Sequence, residues 1–172
     1  VDKNSSKHIL LKSDIDGNYY YVQKKYQDSQ KACDLLAQIK IRLEKLIQHL
    51  EKKYPDDPRV LRILSQFDST NLVENDNNMN VTSYTQNKGE KMVFCLRTRN
   101  DTAQLHSINL LMFVAIHELS HVCSLTVGHQ TEFWKNFSFL LKEALDAGVW
   151  KYIDFKNNPT QYCGTKITNS VI

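Results

Sequence analysis

HELSHVCSLTVGH runs from His117 to His129, and its reading decides the rest of the chain. On a helix, residues four apart project from one face about one turn apart. His117 and His121 therefore offer two imidazole nitrogens to one cation, and zinc takes such nitrogens at about 2.0–2.1 Å. Glu118 lies beside the first histidine and cannot ligate from the same face, but it reaches a water on the open side of the metal. Zinc makes that water acidic, and a carboxylate takes its proton as it attacks a carbonyl. A catalytic zinc usually has three protein ligands plus water, and two candidates exist for the third. One is His129. A continued helix would place it roughly 12 Å further along the axis, so the helix has to end and the chain has to turn back. Thr126 and Val127 are poor helix formers, and Gly128 permits a positive φ just before the histidine. The other candidate is Glu143, with Asp146 one turn later. The glycine break favours His129. Glu132, Glu143 and Asp146 are further candidates for orienting a ligand histidine through its second nitrogen.

Short His-Glu-x-x-His matches also arise by chance in helices. Here the surrounding run, INLLMFVAIHELSHVCSL (108–125), is almost wholly apolar. Two histidines and a glutamate buried in it would be costly without a task. Tyr152 and Tyr162 are candidates for hydrogen bonding a developing oxyanion. Phe133, Trp134 and Phe137 have helical spacing and read mostly as core. His106 reads as a loop or capping residue, His8 and His49 as surface residues, and Cys123 as a small core thiol.

Outward from the motif, Ser107 is a plausible N-cap for the helix that carries it. Thr131 can cap a following helix, EFWKNFSFLLKEALDA, that ends at Gly148. Residues 1–18 read as a loose lead-in and 18–22 as strand-like. From about Asp28 to Lys53, Leu35, Leu36, Ile39, Leu43, Leu46, Ile47 and Leu50 recur at helical intervals. YPDDP (54–58) stops that helix, and Pro58 fits the first turn of a shorter one. Residues 68–80 read as a loop. NVTSYTQ (80–86) and EKMVFCLRT (90–98) read as two strands of a hairpin joined by NKG. YIDF and YCGTKI in the tail read as short extended segments. Helices, a hairpin and further helices in that order give an α+β class.

The chain has 172 residues, enough for one domain with a sizeable core. A net charge of +3 is too weak to argue for nucleic acid by itself. Cys33, Cys95, Cys123 and Cys163 are far apart, form no CxxC pair, and read as scattered reduced thiols of a reducing compartment. No apolar run approaches membrane-spanning length, and no signal peptide is visible. Sequons start at Asn80, Asn100 and Asn136; the last lies in an expected helix, which argues against glycosylation.

HELSHVCSLTVGHQTEFW resembles the zincin metallopeptidases of the SprT-like and WLM types, which also follow His-Glu-x-x-His with a third histidine, an aromatic residue and a helix. It is more closely similar to WLM-like metallopeptidases encoded by large nucleocytoplasmic DNA viruses. That similarity extends through NKGEKMVFCLR, LHSINLLMFVAIHELSH, GHQTEFWKNFSFLLKEA and DFKNNPTQYCGTKI, roughly residues 80–168. The resemblance implies a zincin-like fold: a small antiparallel or mixed sheet, an active-site helix and flanking helices. Chain length makes 1–172 a single domain, and helical patterning makes 1–67 its mostly helical amino-terminal part, which the resemblance does not reach. The resemblance places the catalytic core at 80–168. It implies Zn2+ as cofactor, His117, His121 and His129 as ligands, Glu118 as catalytic base, and a protein or peptide as substrate. The strand at 91–97 is expected to take an extended peptide onto the sheet edge. The third histidine is spaced differently from that of the metzincins. SprT and WLM relatives cleave proteins crosslinked to DNA, but this chain shows neither a strong basic stripe nor a DNA-binding zinc module. The reading is therefore a zinc-dependent peptidase, expected in the host cytoplasm or the virion of a virus. Its rivals are a DNA-activated crosslink protease and a virion structural protein with a metal-stabilised fold.

Overall fold

A computed structural model describes residues 7–76 and 82–172. Strands β1 (His8–Lys12) and β2 (Tyr19–Gln23) form an antiparallel hairpin ahead of the long helix α1 (Ser29–Lys53). Helix α2 (Pro58–Gln66) begins on a proline and is capped by Asp57, whose carboxylate accepts from Arg59 N at 2.9 Å. Three short strands follow: β3 (Leu72–Glu74), β4 (Tyr84–Gln86) and β5 (Lys91–Phe94). The motif lies on α3 (Ile108–Cys123), and α4 (Thr131–Ala147) follows it. A small hairpin, β6 (Thr160–Tyr162) and β7 (Thr165–Ile167), comes last.

The central sheet has the order β3-β5-β4, with β3 parallel and β4 antiparallel to β5. The fold is thus α+β with a mixed sheet. The expected peptide-binding strand needs correction: β5 is flanked on both sides, β3 and β4 are the edge strands among the described residues, and of these β4 borders the cleft described below. The 90–98 strand shortens to Lys91–Phe94, and the 80–86 strand is seen as Tyr84–Gln86. Residues 80 and 81, with the Asn80 sequon, lie outside the described residues, as do 77–79 of the expected 68–80 loop. That loop nevertheless contains β3. The expected lead-in contains β1, with residues 1–6 outside the described residues. His8 is buried rather than superficial, its Nε2 lying 3.0 Å from the Glu74 carbonyl. The YIDF segment is not a strand, though Phe155 is in the core.

One apolar cluster runs through α1, the sheet, α3 and α4. It includes Leu36, Ile39, Leu43 and Leu46 from α1, Leu111, Ile116 and Leu119 from α3, and Phe137, Leu140 and Leu141 from α4. Each such side chain contributes about 1.5–3 kcal/mol by leaving water. The motif helix has no solvent-facing stripe of its own until its last turns, because α1 and α2 cover one side and α4 another. Among the described residues no helix is long and apolar enough to cross a membrane. The cysteines depart from expectation: Cys95 and Cys163 form a disulfide across 68 residues, while Cys33 and Cys123 are free and buried.

Candidate metal centre and its cleft

Ser107 caps α3 as its sequence suggests, accepting from Leu110 N at 3.2 Å. The helix carries His117 and His121 one turn apart and ends at Ser124, whose backbone is extended. Gly128 has φ +83° with open space around it, so the requirement there is conformational rather than steric. The chain doubles back, and His129 Nε2 comes to 3.2 Å from both His117 Nε2 and His121 Nε2.

Several groups hold this reversal. The Glu132 carboxylate accepts from Leu125 N (2.9 Å), Thr126 N (2.8 Å) and Thr126 Oγ1 (2.7 Å). These bonds keep the carboxyl down at about 2. Lys88 Nζ donates to the carbonyls of His121 (3.0 Å), Ser124 (2.8 Å) and Thr126 (2.9 Å), satisfying acceptors that the end of α3 leaves open. It sits in the β4–β5 turn, where Asn87, Lys88 and Gly89 all have positive φ. A Cβ on Gly89 would come within 2.9 Å of the Gln66 carbonyl oxygen, so glycine lets this turn press against the end of α2. Trp134 Nε1 donates to the His129 carbonyl at 3.2 Å. Phe133, fully buried, lies under all three imidazoles, with ring centroids 4.9 Å, 4.4 Å and 4.8 Å from those of His117, His121 and His129.

The three nitrogens lie within 4.8 Å of one another, and the two separations from His129 suit a tetrahedral cation. Bonds of about 2.0–2.1 Å put two ligand nitrogens roughly 3.3 Å apart, against the 3.2 Å seen twice here. Burial, and then the neighbouring imidazoles, hold His117 down at about 3; burial and His129 do the same for His121 at about 4. Both rings are thus kept neutral, the form that ligates.

Glu143, the alternative third ligand, lies elsewhere. It meets His49 (3.1 Å), Lys53 (2.8 Å) and Tyr54 (3.2 Å), with Asp146 alongside. His49 is therefore half-buried and paired rather than merely superficial. Glu132 orients the loop, not an imidazole. Thr131 opens α4, while Gln130 occupies the capping position without a side-chain bond.

Glu118 is 4% exposed. Its Oε1 lies 4.0 Å from His117 Nε2, and its Oε2 accepts from Thr85 Oγ1 at 3.1 Å. Burial pushes this carboxyl up to about 8, against the opposing pull of Thr85. A cleft of about 590 Å³ opens over the three histidines, with Tyr84, Thr85 and Lys88 on its far wall. A second cavity of about 270 Å³ adjoins it at His117 and Glu118, walled by Phe113, Val114, Trp134, Phe137, Ile167 and Val171.

Tyr162 lines this second cavity and is buried; its hydroxyl donates to the Cys95 carbonyl at 2.8 Å and pairs with Ser83 Oγ. Burial raises this phenol well above its ordinary range. Tyr152 lies apart, half exposed beside Trp150 and outside both cavities. His106 is a half-buried loop residue whose ring centroid lies 5.1 Å from that of Tyr162. Cys123 is a buried core thiol. Ser83, Thr85 and Lys88 were not singled out from the sequence. They stand on the hairpin, and nothing local shows that the hairpin closes on α3.

The WLM domain model matches residues 17–171. An uncharacterized protein of Acanthamoeba polyphaga mimivirus is 33% identical over 174 residues, covering 99% of this chain and 87% of its own length. An uncharacterized protein of Invertebrate iridescent virus 6 is 28% identical over 141 residues, covering 80% of this chain and 75% of its own. The crystal structure of Wss1 from Saccharomyces cerevisiae superposes with a TM-score of 0.55 at 21% identity, covering 74% of this chain and 87% of that one. A mutant Wss1 structure gives 0.57. The family match reaches back through α1 and α2, well before the segment whose motifs carried the resemblance. With this match over most of its length and a fold shared with Wss1, the chain belongs to the WLM domain family of metallopeptidases.

Proposed function

We propose that the protein is a zinc-dependent peptidase in which His117, His121 and His129 hold the metal and Glu118 is the general base. The single observation that carries the reading is the convergence of three imidazole nitrogens beside a buried carboxylate on an open cleft. A zinc ion held there supplies Lewis acidity to the scissile carbonyl and acidifies a water. Thr85 holds one carboxylate oxygen of Glu118, which leaves the other to accept the water's proton and pass it to the departing amine. The free edge of β4 borders the cleft and can take an extended peptide as an added strand. The apolar cavity next to Glu118 receives a substrate side chain. Tyr162 stands on its wall, and donates to the oxyanion once its hydroxyl turns from the Cys95 carbonyl. Residues 1–172 work as one catalytic unit, because α1 side chains underlie the motif helix. The expectation of action in the host cytoplasm or the virion rests on the viral source of the two relatives alone.

The test compares wild type, Glu118→Gln and His129→Ala for zinc content and for cleavage of a denatured protein library. Glu118→Gln should keep zinc and lose about 10²–10⁴-fold in rate; His129→Ala should lose zinc. No cleavage by metal-loaded wild type would reject the peptidase in favour of a metal-stabilised structural protein. Cleavage that appears only with DNA present would instead favour the crosslink protease.

A further inference from the structure

The hairpin β6–β7 pairs with itself and not with the central sheet. It nevertheless supplies both Tyr162 and Ile167 to the apolar cavity that adjoins the cleft. Its ties to the body cluster at two consecutive residues. Tyr162 meets Ser83 and the Cys95 carbonyl. Cys163 is bonded to Cys95, and its N–H donates to His106 Nε2 at 3.4 Å. A separate cavity of about 260 Å³, which shares no lining residue with the cleft or its neighbour, has Cys163 in its lining, together with Arg99, His106 and Gly164. The Arg99 side chain runs over Gly164, where an added Cβ would lie 3.5 Å from its Cδ. Both cysteines are buried, so a thiol reaches the disulfide only through this cavity, past Arg99, and its two ends, with Ser83, are the points that fix Tyr162.

We propose that Cys95–Cys163 is a thiol-exchange site, entered by a small anionic thiol through the Arg99 cavity, and that opening it releases Tyr162 from the wall of the apolar cavity beside Glu118. The attacking thiolate bonds to Cys163 Sγ as the bond between the two cysteine sulfurs breaks. Cys95 leaves as a thiolate and takes a proton from solvent. A second thiolate then attacks the small thiol's own sulfur in the mixed disulfide, and Cys163 leaves as a thiolate and takes a proton from solvent, so that two small thiols are oxidised to their disulfide and both cysteines are reduced. Arg99 favours approach of the anion. The consequence for activity rests on the peptidase reading; the exchange itself does not.

The experiment uses the full chain equilibrated with reduced and oxidised glutathione at several ratios. Alkylation in denaturant, read by intact mass, should give two modified cysteines in the oxidised protein, Cys33 and Cys123, and four in the reduced. On reduction, amide exchange across residues 160–167 should rise at least tenfold and cleavage should fall at least tenfold, with zinc content unchanged. Arg99→Gln should slow reaction with glutathione severalfold relative to neutral 2-mercaptoethanol. Four alkylated cysteines before any reductant would overturn the proposal. So would exchange and cleavage both within twofold of the oxidised protein, or an Arg99→Gln variant that treats the two thiols alike. If Glu118-dependent cleavage is absent in both states, the peptidase reading fails, and amide exchange alone decides this one. The Cys95→Ser, Cys163→Ser double variant should match the reduced wild type and ignore glutathione. If that variant does not fold, the reduced wild type still gives the answer.

Discussion

Phe133 touches the rings of all three candidate ligands from below and has no exposed surface. It sets how far each imidazole can sink, as a second layer does in other metal sites. Truncating it leaves a void that the surrounding helices cannot fill. Phe133→Ala should cost about 3–5 kcal/mol in stability and weaken zinc binding about 10–100-fold. Urea unfolding and competition with a chromogenic chelator measure the two effects separately. Unchanged zinc affinity with lost stability would make Phe133 a core residue alone. Its core character is readable from helical spacing with Phe137; its place beneath His129 is not, because that depends on the chain folding back. His117, Glu118 and His121 are readable because four-residue spacing on a helix is local geometry. His129 is readable because Gly128 signals the turn. Thr85 is invisible by the same logic, since only tertiary packing brings a hairpin hydroxyl to Glu118.

At the scale of elements, the link between α3 and α4 has to place His129 reproducibly, and Glu132 is its clasp. Its carboxylate serves two backbone N–H groups and a hydroxyl, and is held at about 2 rather than its ordinary 4.5. A carboxyl depressed on folding stabilises the fold at pH above about 4.5, and that contribution fades as the pH falls toward 2. The side chain is exposed, which limits the gain. Glu132→Ala should lower Tm by about 2–4 °C at pH 7, equivalent to roughly 1 kcal/mol in a chain of this size. The gap from wild type should close between about pH 4.5 and 2. Melting curves across that range test it; a gap independent of pH would assign the loss to loop packing instead. The helices that this link joins, of 16 and 17 residues, are legible, α3 as a long apolar run and α4 from apolar residues at helical spacing. The three-residue strands are not. β3 lies in a stretch of Asn, Asp and Ser, and its parallel pairing with β5 has no local turn to announce it.

Across the whole molecule, the β1–β2 hairpin, the start of α1 and the central sheet meet at one buried charge network that no periodicity reveals. Glu74 is fully buried; its Oε2 accepts from Arg97 Nε at 2.9 Å and its Oε1 from Gln23 N at 2.8 Å. Arg97 also pairs with Asp28 and stacks on the Tyr26 ring, 3.9 Å from its centroid. Burial pushes the Glu74 carboxyl up, and Arg97 only partly offsets it. The pair therefore serves to join the amino-terminal hairpin to the sheet in one register more than it adds net stability. Removing one partner should be worse than removing both. Arg97→Met strands a buried carboxylate and should cost about 3–5 kcal/mol at pH 7. That deficit should shrink on acidification as Glu74 takes up a proton, since a buried carboxyl with a raised pKa costs less once neutral. In Glu74→Gln with Arg97→Met, the Gln side-chain oxygen still accepts from Gln23 N and no fully buried charge is left unpaired, while Asp28, which loses Arg97 in the single variant as well, is exposed enough to be hydrated. The double variant should recover about 1–3 kcal/mol relative to the sum of the two single changes. Urea midpoints of the four proteins in this cycle decide it. Strict additivity would mean that the two side chains act independently, and the hairpin would then be held by its apolar face rather than by this network.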